Sequence, residues 1–118
     1  MEPLMLEGVE RGADIIFTPE FCTGAAAVWN LSPPGKALQW FLDFANEHHT
    51  YVAASSYIRD EKKDKYNAVV LINREGEVVG FSGKKHLYHT DCNLGKAKRH
   101  MEFPVFQNWL RECSFWSL

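Results

Sequence analysis

The sequence predicts an α/β fold in which amphipathic helices pack as a layer on a sheet. Three observations carry that reading. Residues 15–17, Ile-Ile-Phe, form a short apolar run that stops at Thr18-Pro19. Residues 32–49 space their apolar side chains as one face of a helix. Residues 66–72 and 78–82 are strand-like runs on either side of a glycine-containing turn.

The elements follow in order. Residues 2–11 read as a helix, with Met1, Met5 and Val9 spaced by four and Leu4 and Leu6 beside them. Gly12 is its stop, because glycine enters the left-handed conformation cheaply. Residues 15–17 read as a strand buried on both faces. The small and polar residues 23–35 read as a loop. In the next helix, Ser32 is the expected cap and Pro33 and Pro34 are tolerated near the first turn. Leu38, Phe41, Leu42 and Ala45 form its apolar stripe. Residues 51–58 are a strand, and a charged loop leads from them to the hairpin, where Gly76 supplies the turn geometry. Residues 102–106, with Pro104, suggest a short edge strand. The tail beyond has no clean period.

Composition narrows the classes of function. Thirteen basic residues against fifteen acidic ones give a net charge of −2, which does not point to nucleic acid. No apolar run approaches the length of a membrane span. The acidic, amphipathic N-terminus does not fit a secretory signal, so a cytoplasmic location is expected. Cys22, Cys92 and Cys113 have no CxxC spacing and are expected to be free thiols.

Two residues stand out chemically. Glu20 follows the first strand, and α/β sheets tend to carry their sites at strand C-termini. Flanked by Pro19 and Phe21, its carboxylate would be partly desolvated and its pKa raised toward the range of a general base; the plainer alternative is a loop glutamate in water. Lys84 follows the return strand of the hairpin, where a fixed positive charge can stabilise an oxyanion. The plainer alternative there is a solvated basic turn. His86, His89 and Cys92 have the spacing H-x2-H-x2-C, but they follow a strand and have no obvious fourth ligand, so no metal or cofactor is expected.

These stretches together resemble the nitrilase superfamily of carbon–nitrogen hydrolases. "GADIIFTPEF" is similar to the family strand that carries its glutamate. "KYNAVVLINREGEVVGFSGKKHLYH", with the pair Tyr66-Asn67, is similar to the hairpin that carries its lysine. The resemblance covers residues 1–107 and sets residues 108–118 apart as a divergent tail. It implies a partial α-β-β-α sandwich, the N-terminal half of a family domain, and a Glu-Lys-Cys triad. In that triad Glu20 is the base and Lys84 the cation that stabilises the tetrahedral intermediate. Their side chains are then expected to converge on one pocket at the ends of neighbouring strands.

The thiol is where the resemblance stops. The family's cysteine lies in a Cys-aromatic-Asp motif, whereas Cys113 precedes Ser114 and Phe115 and comes too soon after Lys84. The implied substrate is a small amide or nitrile, acted on if the triad is completed and not by this chain alone. The rival reading is a non-catalytic module that self-associates or pairs with a full-length homologue through an exposed sheet face.

Overall fold

The structure is a computed structural model that describes residues 2–24, 27–84 and, as backbone only, 115–117. The chain runs α1 (Glu2–Glu10), β1 (Ile15–Phe17), β2 (Val28–Asn30), α2 (Lys36–His48), β3 (Tyr51–Arg59), β4 (Lys65–Ile72), β5 (Val78–Gly83) and β6 (Phe115–Ser117). This is the α/β class expected. Cys92, Cys113, the His86/His89/Cys92 spacing and the suggested strand at 102–106 lie outside the described residues.

One sheet of six strands has the order β5-β4-β3-β1-β6, with β2 also paired to β3. Strands β3, β4 and β5 form an antiparallel meander, while β1 and β2 run parallel to β3. The C-terminal ends of β1, β3 and β5 therefore lie at the same end of the sheet, beside the start of β4. Glu20 follows the first of these ends and Lys84 the last.

Side-chain alternation gives the sheet two faces. Ile16, Val52, Ala54, Ile58, Ala68, Val70 and Ile72 point to one face and pack with Met5 of α1 and with Leu38, Phe41, Leu42, Phe44 and Ala45 of α2. The predicted helical stripe is thus the buried one. Ile15, Ala53 and Leu71 form a second cluster on the other face, joined by Phe17, Tyr51 and Val79. Ile15 and Ile16 are both buried, on opposite faces, as the unbroken apolar run implies. Leu4 is the exception among the expected apolar residues of α1, because it faces solvent.

Gly12 ends α1 at φ +79°. Gly76 turns the hairpin at φ +77°, and its missing side chain also matters, because a Cβ there would lie 2.6 Å from the Leu42 carbonyl oxygen. The hairpin turn is therefore seated against α2. Asn73 organises the same turn, its Oδ1 accepting from the backbone N–H groups of Glu75 and Glu77.

Two local expectations are corrected. Ser32 does not cap α2: Gly35 does, in an extended conformation and with no side-chain hydrogen bond. Leu31 and Pro34 close a bridged turn, so the proline pair is occupied before the helix starts. The supposed loop at 23–35 also contains β2. Its Trp29 is 1% exposed, donates from Nε1 to Thr23 Oγ1 at 3.0 Å, and stacks obliquely on Phe41. A strand of three residues has too few positions to show a period, and its partner Tyr57–Arg59 is remote in sequence. The tail, for which no element was expected, supplies β6 parallel to β1.

Candidate active site

The site begins with an interruption along one edge of β3. Strand β1 pairs with residues 51–53 and β2 with residues 57–59. Between those pairings the chain leaves the ladder and carries Glu20 out. Side chains and loop backbone take over the ladder's hydrogen bonds. Thr18 N–H donates to the Ala53 carbonyl, Ser55 N–H donates to Thr18 Oγ1 at 3.0 Å, and Cys22 N–H donates to the Ser55 carbonyl. Glu20 is thereby held between two anchors on β3. Phe21 adopts φ +53°, a left-handed conformation that costs an ordinary residue roughly 1–2 kcal/mol. Its ring rests 4.9 Å from that of Tyr57, which helps to hold the turn.

Glu20 and Lys84 meet. Lys84 Nζ lies 3.3 Å from Glu20 Oε1. The same oxygen accepts from Asn67 Nδ2 at 2.6 Å. Lys84 is fixed in turn by its backbone, its N–H donating to the Asn67 carbonyl at 2.7 Å. These residues line an open cleft of about 550 Å³, together with Ser55, Val69 and Ser82. The cleft opens on the face of the sheet opposite the helices.

Two expectations need correction here. The residues converge on one pocket, but their strands are not neighbours, because β3 and β4 lie between β1 and β5. Convergence is possible because the loop after β1 crosses β3 to reach Asn67 on β4. Desolvation of Glu20 is also not found: its side chain is 49% exposed, so Pro19 and Phe21 do not enclose it. Lys84 is 39% exposed. The pair is thus half-exposed, while Asn67 beneath it is 2% exposed.

Asn67 is the part of this arrangement whose contact the sequence did not disclose. Its signal was a polar residue inside the apolar run of β4, on the face shared by Val69 and Leu71. Cys22 is near in sequence but does not line the cleft. It packs against the helix-side core, and its Sγ donates to the Ser55 carbonyl at 3.3 Å. Among the described residues no three His, Cys, Asp or Glu side chains are grouped so as to hold a metal. Among them, too, no helix is long and apolar enough to cross a membrane.

A carboxylate bonded to a buried donor, beside an ammonium and over an open cleft, can accept a proton and stabilise developing negative charge. Comparison with known proteins bears on the family and the fold. The model of the carbon–nitrogen hydrolase family matches residues 3–112. The 2-oxoglutaramate amidase of Bacillus subtilis (strain 168) is 26% identical over 88 residues, a stretch covering 70% of this chain and 34% of that protein. The NitN amidase from Neterenkonia sp. AN1 superposes with a TM-score of 0.73 at 16% identity, over 92% of this chain and 44% of the other. An N-terminal amidase superposes at 0.66 and 20% identity, over 81% of this chain and 26% of its own. The chain thus spans about a third of the curated relative it matches. The sheet is of the kind found in nitrilase-fold amidases, and with the match extending over nearly all its residues the chain belongs to the carbon–nitrogen hydrolase family.

Proposed function

We propose that Glu20 is the proton acceptor and Lys84 the cationic stabiliser of an amidase-type centre that works through a cysteine thiolate. In this scheme Glu20 takes the thiol proton as sulfur attacks the carbonyl carbon of a small amide. Lys84 stabilises the negative charge that develops on the carbonyl oxygen. The proton passes from Glu20 to the leaving nitrogen, the carbon–nitrogen bond breaks, and a thioester remains. Glu20 then deprotonates the water that hydrolyses it. The relatives named above are amidases, which favours an amide over a nitrile.

The observation that carries this reading is the 3.3 Å approach of two residues 64 positions apart, over a cleft large enough for a small substrate. The thiol is the missing participant. Cys22 is turned toward the core, and neither Cys92 nor Cys113 has the sequence setting of the family's nucleophile. On this reading the chain does not hydrolyse amides by itself. The test is to graft residues 13–84 into the matching segment of a full-length 2-oxoglutaramate amidase and measure hydrolysis. We expect the graft to work, and Glu20→Gln or Lys84→Met within it to lose about 100-fold or more. Variants that hydrolyse as fast as the parent graft, with circular dichroism unchanged, would refute the assignment.

A second reading is favoured by the opposite face of the sheet. The helices cover one face, while Val69 on the other is 40% exposed beside an apolar cluster. That surface suits self-association or pairing with a full-length homologue. Sedimentation of the chain and of Val69→Glu tests it, with a smaller particle expected for the variant if this face is the contact.

A further inference from the structure

The polar contacts of Glu20 are unequal in a way that bears on its chemistry. Asn67 Nδ2 and Lys84 Nζ both bond the same oxygen, Oε1. The Asn67 contact is much the shorter, 2.6 Å against 3.3 Å, and its donor is 2% exposed whereas the lysine side chain is 39% exposed. Short bonds from a buried donor to an ionised acceptor are among the stronger hydrogen bonds, while a solvated ion pair contributes little. The stronger of the two bonds to the carboxylate thus comes from β4 and not from its cation.

We infer that Asn67 is a positioning residue: it clamps Oε1 of Glu20, so that Oε2 is the oxygen left to exchange the proton over the cleft. The inference rests on the reading of Glu20 as the base and adds which atom acts and what aims it. The amide can face Glu20 only with its N–H, since its carbonyl would oppose the carboxylate, and that fixes the side-chain orientation. Asn67 also accepts the backbone N–H of Lys84 at 2.7 Å. One residue of β4 therefore sets both partners, the carboxylate through its side chain and the lysine through its main chain. An aspartate of nearly the same shape could not replace it, because two carboxylates would meet at hydrogen-bond distance. Lys84 is left comparatively free to turn toward negative charge formed on a substrate.

The test is NMR of the whole 118-residue chain with the side-chain amide of Asn67 and the carboxyl carbon of Glu20 labelled. In Glu20→Ala one of the two Asn67 Hδ2 resonances should move upfield, with the other nearly still. In Lys84→Met both should move less than that. Asn67→Ser, checked as folded by its backbone amide spectrum, should shift the Glu20 carboxyl carbon toward its value in a free peptide. If Glu20→Ala leaves both Hδ2 resonances in place, or Lys84→Met shifts them equally, the clamp does not exist. That outcome would leave the base assignment standing, because the grafted enzyme tests Glu20 by hydrolysis alone.

Discussion

Lys84, the residue that follows β5, is bonded back to Asn67 of β4, its N–H donating to the Asn67 carbonyl at 2.7 Å. The hairpin is therefore closed at the site itself. The main chain of Lys84 is bonded to the sheet, while its ammonium faces the cleft.

That division separates stability from charge. Lys84→Met should lower stability by no more than about 1 kcal/mol, since an exposed ion pair is worth little. Asn67→Ala should cost about 1–3 kcal/mol, because it removes a buried donor bonded to a charged group. Denaturant unfolding of the two variants decides the order, and equal losses would contradict it.

The loop carrying Glu20 depends on a hydroxyl that stands in for backbone. Thr18→Val removes the acceptor of the Ser55 N–H at nearly constant shape and should cost about 1–3 kcal/mol. Thr18→Ser keeps the oxygen and should lose less. Hydrogen exchange at the Ser55 amide is the direct reading, with faster exchange expected only in the valine variant.

Gly76 is required twice, for its positive φ and for its contact with α2. Gly76→Ala should destabilise by about 2 kcal/mol or more, from left-handed strain together with a clash against the Leu42 carbonyl. A thermal melt like that of the parent chain would show that the turn moves away from the helix without penalty.

Cys113 gives a chemical test of whether the chain holds its own nucleophile. Iodoacetamide near neutral pH should alkylate it no faster than a free-thiol peptide, and Glu20→Gln should leave the rate unchanged. A fast reaction that slows in Glu20→Gln would show that the chain holds its own activated nucleophile.

Much of the fold could be read from the residues because its long elements carry strong periods. The stripe Leu38, Phe41, Leu42 and Ala45 is buried as spaced, and the hairpin turns at Gly76. What was illegible depends on distant partners. Strand β2 exists because Tyr57–Arg59 pairs with it, and the helix cap moved to Gly35 because the prolines turn back on Leu31. At the site, residue types at strand ends marked Glu20 and Lys84. Their exposure, and the reach of Glu20 across β3 to Asn67, follow from a loop path that no local pattern encodes.

The order of pairing in the sheet has a consequence for how the site comes into being. Strands β3, β4 and β5 are consecutive and need only short turns, so their meander is cheap to close. Strand β1 must instead reach β3 across the whole of α2. The bond from Asn67 to Glu20 spans 47 residues. The meander carrying Asn67 and Lys84 is therefore expected to assemble first and wait for the acid, which arrives only when β1 docks. Pulse-labelling exchange during refolding should protect the Val70 amide before that of Ile16; the reverse order would mean that the carboxylate end nucleates the fold.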